Sequence, residues 1–217
     1  MNLFKKNDNE QTKVVRPKNF GWLEKKLSDK EMDYLWRCID NRKESYKKNL
    51  AGQIHESNVL VDRGDWFWHN TLYPLCKEYY NEFGNLASNV PINQAHPYYL
   101  SAFWVNYQKQ NEFNPCHDHQ GVYSFVIWMK IPTKHFEQNK NPIALKSNAN
   151  LISAFAFNHI DILGQLSQCV YEMNPGMEGT MLFFPAKLQH CVYPFYNCDE
   201  DRISISGNIT LNTAKLL

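Results

Sequence analysis

No run of eighteen apolar residues occurs anywhere in the 217 positions, so no membrane-spanning helix is expected and no membrane partner is predicted. The six cysteines contain no Cys-x-x-Cys pair, which excludes a zinc-knuckle spacing and a small secreted disulfide framework. Neither sign of charge predominates. Lys plus Arg number 23 and Asp plus Glu 22, a net +1, which argues against nucleic acid held by bulk electrostatics. There is no internal repeat, no Gly-rich phosphate loop and no Gly-x-Ser-x-Gly elbow, so nucleotide-driven and serine-hydrolase chemistry lose their usual signatures. The opening Met1 to Glu10 is polar, so no signal peptide is expected and a cytoplasmic protein with reduced thiols is the simplest reading.

What the chain does have is aromatic and aliphatic mass: 43% hydrophobic and 14% aromatic residues, enough for one core in one domain. Residues 1–20 read as a polar lead-in, 21–96 as a helical brace and 97–217 as the catalytic core. Ser28-Asp29-Lys30-Glu31 is a capping box, and Met32, Leu35, Trp36 and Ile39 follow at helical spacing, predicting a helix over Asp29 to Lys48. A second is predicted over Asp65 to Phe83, kinked at Pro74, with Trp66, Phe67 and Trp68 packing it on the core.

From Pro97 onward, short aromatic and β-branched runs alternate with Gly, Pro and Asn clusters. Seven strands are predicted: Tyr99 to Gln108, Val122 to Ile131, Leu151 to Asn158, Cys169 to Met173, Thr180 to Phe184, Cys191 to Phe195 and Arg202 to Leu211. With few helices between them, they make a mainly β antiparallel sandwich or barrel. The Lys- and Asn-rich stretch 133–150 reads as a mobile loop, either a lid or an idle insertion.

Within Phe113 to Gly121, His117 and His119 stand two apart, so strand alternation turns both to one face. Such a pair holds one metal if a third ligand arrives from elsewhere, and His190, 71 residues after His119, is the candidate. Twelve residues later comes Arg202-Ile203-Ser204, whose Arg and Ser share a face. A guanidinium fork with a hydroxyl suits a carboxylate, although a surface ion pair with Asp199, Glu200 or Asp201 would also account for Arg202.

A metal-binding His-x-His or His-x-acid, a distant His and an Arg-x-Ser a dozen residues on resemble the 2-oxoglutarate and Fe(II)-dependent oxygenases. The flanks, Trp104-Val105-Asn106-Tyr107, Ser124-Phe125-Val126 and Gly179 through Pro185, are similar to a small bacterial and phage branch related to prolyl-hydroxylase-like enzymes. The resemblance covers about residues 97 to 211. It implies a double-stranded β-helix, or jelly roll, braced by N-terminal α-helices. It also implies Fe(II) on His117, His119 and His190, 2-oxoglutarate on Arg202 and Ser204, and O2 as oxidant, with Asn106 and Tyr107 able to reach cosubstrate or substrate.

One position departs from the usual pattern: His119 stands where most of the superfamily has a carboxylate. Asp118 belongs on the opposite strand face unless a bulge turns it. Three neutral imidazoles leave Fe(II) its full charge, which dianionic 2-oxoglutarate would neutralise, and a filled third position counts against halogenation. Two other pairs match His-x-acid literally, His135 with Glu137 in the 133–150 loop and His159 with Asp161 after a strand. Cys116 and Cys191 sit beside the histidines in sequence and are assigned to packing. The expected activity is a dioxygenase, in particular a hydroxylase, acting on a small-molecule or peptidyl substrate, with homodimerisation left open. The alternative is a non-catalytic jelly-roll or cupin-like binding or structural module.

Overall fold

The structure is a computed structural model that describes residues 14–15, 19–92 and 94–216. Most of the predicted lead-in therefore lies outside the described residues. In chain order the strands are β1 (Leu23–Lys26), β2 (Glu56–Val59), β3 (Tyr98–Gln108), β4 (Asn114–His117) and β5 (Tyr123–Lys130). They continue with β6 (Ala154–Ile160), β7 (Leu166–Glu172), β8 (Thr180–Pro185), β9 (Gln189–Val192) and β10 (Arg202–Leu211). They form a six-stranded sheet, β1-β8-β5-β10-β3-β2, facing a four-stranded sheet, β4-β9-β6-β7, and every pairing is antiparallel. This is the jelly roll expected from the sequence.

The large sheet is buried on both faces, for two different reasons. Phe125 and Ile127 of β5, with Phe103, Phe183, Ile205 and Ile209 of neighbouring strands, pack against Leu35, Phe67, Leu75 and Tyr79 of the helical layer. The alternate residues Val126 and Trp128 turn the other way and join Phe155, Phe157, Leu182 and Phe184 between the sheets. Strand β5 is consequently buried at seven consecutive positions, and an alternating pattern is absent from its sequence.

The helical brace is shorter and less regular than its sequence predicts. Helix α1 (Asp29–Asp40) starts at the expected capping box: the Ser28 side chain accepts from the Glu31 N–H, and the Glu31 carboxylate accepts from the Ser28 N–H. It stops at Asn41 instead of running to Lys48, because Lys43 and Tyr46 donate their N–H groups to Val59 and Ser57 beside β2. Competition from a strand edge ends the helix. The second stretch is also divided. The Asp62 carboxylate accepts the Phe67 and Trp68 N–H groups, a π-turn follows at Trp68–Leu72, and α2 covers Tyr73–Phe83. Pro74 causes no separate kink; it sits at the start of α2, where the Tyr73 N–H reaches back five residues to the Trp68 carbonyl.

Strands β1 and β2 are absent from the sequence-based reading, and β4 is implied there only by the alternation of His117 and His119, without bounds. Each has four residues, too few for alternation to register, and β1 and β2 fall in the region expected to be helical. The 133–150 segment is anchored: α3 (His135–Gln138) buries His135, and Gln138 exchanges two hydrogen bonds with the Tyr196 backbone.

Glu31 ties the brace together. Burial raises its carboxyl pKa, but hydrogen bonds from Lys25, the Ser28 N–H, Thr71 and the Ser28 hydroxyl outweigh this and bring it from 4.5 to about 2. A depressed carboxyl adds stability that is complete above the unfolded value and is lost as pH falls towards 2. Glu31→Gln should therefore cost about 2 kcal/mol at pH 7. In urea titrations the gap between variant and wild type should narrow at pH 3.

Candidate metal centre

Strands β4 and β9 pair so that His117 stands opposite His190, with a bulge between Asn114 and His117. His119 lies just beyond β4, fixed by its N–H to the Ala186 carbonyl. Gly121 then turns the chain into β5 with φ +102°, and a Cβ there would stand 2.6 Å from the Ile209 carbonyl oxygen. One imidazole nitrogen from each of His117, His119 and His190 lies within 4.8 Å of the others.

The outer nitrogens set the tautomers. His117 Nδ1 donates to the Pro115 carbonyl at 2.7 Å and His190 Nδ1 to the Leu188 carbonyl at 2.9 Å, so in both rings Nε2 keeps its lone pair. His119 Nε2 is 3.2 Å from His190 Nε2. Two nitrogens each bound at about 2.1 Å and at right angles about one ion stand about 3 Å apart, so the spacing fits a shared metal. Aromatic neighbours hold the rings: Phe184 and Phe155 lie 5.1 and 5.6 Å from His190, and Trp104 lies 5.8 Å from His119. Burial lowers all three pKa values, helped at His119 and His190 by the neighbouring imidazoles; His119 falls to about 4 and His190 well below its ordinary value. Neutral imidazole is the form a cation needs.

The cluster opens into a cavity of about 540 Å³ whose lining also includes Arg202, Ser204, Asn106 and Gln108. Arg202 is 2% exposed. Its Nη2 donates to Ser153 Oγ at 2.6 Å and its Nη1 to Gln108 Oε1 at 3.4 Å, its guanidinium lies 4.9 Å from the Phe195 ring, and its Nε has no partner. Among the described residues no carboxylate pairs with it, so the surface ion pair considered from the sequence does not form. Burial alone brings its pKa down to about 9, which leaves it charged at neutral pH. A buried cation without a counter-charge on a polar cavity is a receptor for an anion.

Several expected residues stand elsewhere. Tyr107 does not line the cavity; alternation puts Asn106 inward, bonded to Ser57, and turns Tyr107 to the other face, where Arg42 lies 5.4 Å from its ring. Asp118 is bonded to Lys187 and Gln189 and takes no place in the imidazole cluster. His135 bonds the Asn150 carbonyl while Glu137 is exposed, and Asp161 accepts N–H groups of its own turn, so neither His-x-acid pair forms a cluster among the described residues. No residue of 133–150 lines the cavity.

Part of the cavity lining comes from a segment that sequence reasoning missed, Tyr46 to Ile54. Single bridges, Ser45 with Asn58 and Gln53 with Phe113, stretch it from the β2 side to the approach of β4. Tyr46 stacks on Trp104 at 5.2 Å, and Gly52 lies so close to Asn114 that a Cβ would stand 2.9 Å from its Oδ1. The segment carries no periodic signal. Ser206 and Asn208 of β10 also line the cavity, and here a signal exists: Arg202, Ser204, Ser206 and Asn208 are polar at every second position.

Comparison with known proteins adds a family. A family model described as "Putative 2OG-Fe(II) oxygenase" matches residues 102–208. No curated protein matches the chain. Among solved structures, a Pseudomonas putida prolyl-4-hydroxylase is 12% identical at TM-score 0.49, covering 89% of this chain and 94% of its own. A viral collagen prolyl hydroxylase from Paramecium Bursaria Chlorella virus-1, in complex with 2OG, is 15% identical at TM-score 0.47, covering 87% and 94%. AviO1 from Streptomyces viridochromogenes is 11% identical at TM-score 0.48, covering 90% and 91%.

In metal-free protein, NMR titration should find the His119 and His190 rings neutral from pH 8 down to pH 5. Either ring titrating near 6.5 would show that the cluster is more solvated than its burial implies.

Proposed function

Because the chain belongs, through residues 102–208, to the 2-oxoglutarate/Fe(II)-dependent oxygenase superfamily, we propose that it is a dioxygenase of the hydroxylase type working in one domain. The observation that carries this reading is one cavity lined by three converging neutral imidazoles and a buried arginine with no carboxylate partner among the described residues. His117, His119 and His190 would hold Fe(II), and Arg202 with Ser204 would hold the distal carboxylate of 2-oxoglutarate. With O2, that metal and cosubstrate supply oxidative decarboxylation to succinate and CO2 coupled to oxidation of a substrate C–H bond.

The chain's own residues bind, orient and exclude. The backbone carbonyls of Pro115 and Leu188 hold His117 and His190 with Nε2 inward. Ser153 and Gln108 aim the guanidinium while leaving Nε for an incoming oxygen, and Phe195 shields its face. Three neutral ligands leave the metal dipositive, so a dianion brings the pair to neutrality, a stronger demand for the cosubstrate than two histidines and a carboxylate would make. The substrate would enter past Tyr46–Ile54 and would be a small molecule or a peptidyl side chain, since a net charge of only +1 counts against nucleic acid.

Anaerobic Fe(II) plus 2-oxoglutarate should produce a visible charge-transfer band that needs both additions and is lost in His190→Ala. A colourless mixture with folded wild-type protein would sink the reading. Arg202→Lys keeps a charge but loses the fork; it should retain metal and weaken 2-oxoglutarate about tenfold or more, measured by titrating the band. Under air, succinate release without added substrate should be detectable in wild type and absent in His190→Ala.

A further inference from the structure

The outer face of the small sheet carries two thiols that the proposed chemistry leaves unused. Cys116 precedes His117 and Cys191 follows His190. With Asn114 opposite Val192 and His117 opposite His190, the bulged pair Pro115 and Cys116 stands across from Cys191. Both sulfurs face the same amide: Asn158 Nδ2 is 3.6 Å from Cys116 Sγ and 3.8 Å from Cys191 Sγ, so the sulfurs are no farther apart than the sum, 7.4 Å. Gln168 donates to Asn158 Oδ1 at 2.8 Å, which keeps the Asn158 nitrogen turned towards the sulfurs. Cys191 is buried, but Cys116 is exposed, so packing does not account for it.

We infer that Cys116 and Cys191 form an oxidisable dithiol, a site for hydroperoxides, whose disulfide weakens metal binding by the histidines on the opposite face. Facing residues of an antiparallel ladder have Cα atoms about 4.5–5.5 Å apart, within the range a disulfide spans. Cys116, the accessible thiol, attacks peroxide: an S–O bond forms, the O–O bond breaks and one water leaves. Cys191 then attacks the Cys116 sulfur; the S–S bond forms, the S–O bond breaks and a second water leaves. Two thiols lose two electrons and two protons, and one peroxide becomes two waters. Closing the bridge costs the Asn158 amide its contacts with the two thiols and draws on the backbone one residue from His117 and one from His190. The approach of their Nε2 atoms depends on that strand spacing.

The test uses the full chain as Cys198→Ser, because trypsin otherwise leaves Cys191 and Cys198 in one peptide, Leu188 to Arg202. Reduced, metal-free protein receives equimolar hydrogen peroxide anaerobically and is digested. The expected product is Gln110–Lys130 joined to Leu188–Arg202, two hydrogens lighter. The Co(II) dissociation constant should rise about tenfold, as for disturbed second partners of metal ligands, and return with dithiothreitol. Cys116→Ser should bind Co(II) normally and show no peroxide response. A digest without the linked pair overturns the dithiol, and a linked pair with unchanged Co(II) affinity overturns its coupling to the centre. That coupling rests on the proposed metal site; reduced protein that binds no Co(II) would overturn that site while the linkage result stands.

Discussion

A strand shows alternate side chains to opposite faces, and the large sheet of this protein meets a different medium on each. One face lies under the helices and accepts only apolar groups. The other fronts the space between the sheets, where a polar row can persist because a cavity runs along it. In β10 that division separates Arg202, Ser204, Ser206 and Asn208 from Ile203, Ile205 and Ile209, and the rest of the site is arranged about this row. A one-residue slip of β10 would turn isoleucines into the cavity where the polar row stands and set an arginine among aromatics.

The small sheet supplies the opposing wall by the same rule. Its inner face carries His117 and His190 with Phe155 and Phe157 around them, and its outer face carries Cys116, Cys191 and Asn158. The charge pattern across the cavity is lopsided. Arg202 is buried with no acid beside it among the described residues, the three imidazoles are held neutral, and Asp118 is already paired with Lys187. On the proposed reading, a divalent cation would take the imidazole lone pairs and a dianion the guanidinium, each answering a different part of this pattern.

Much of this was legible in residue order. Arg202 and Ser204 share a face of β10 because they are two apart, the capping box at Ser28 placed the start of α1, and His117 and His119 do meet, although His119 lies beyond the end of β4 and is set by its bond to Ala186, not by strand alternation. The misreadings have physical causes. Tyr107 is one residue out of phase with Asn106, so alternation itself excludes it from the cavity. Lys43 to Tyr46 continue a helical pattern, but the Lys43 and Tyr46 N–H groups find better partners in the carbonyls of β2. The 133–150 stretch read as a mobile loop, a lid or an idle insertion, from its composition, yet its Gln138 is bonded to Tyr196, and the cavity is lined by residues of Tyr46–Ile54 and by none of 133–150.

Local chemistry, then, was determined by sequence alone: which residues can ligate, which fork can take a carboxylate, which strands alternate. Those properties depend on residue type and on spacings of two to four. Tertiary structure decided which histidines meet, that Arg202 lies buried beside Ser153 and Gln108, and that two thiols share one amide. These depend on pairings between strands dozens of residues apart, and no local period encodes which distant strand edge will satisfy a backbone N–H.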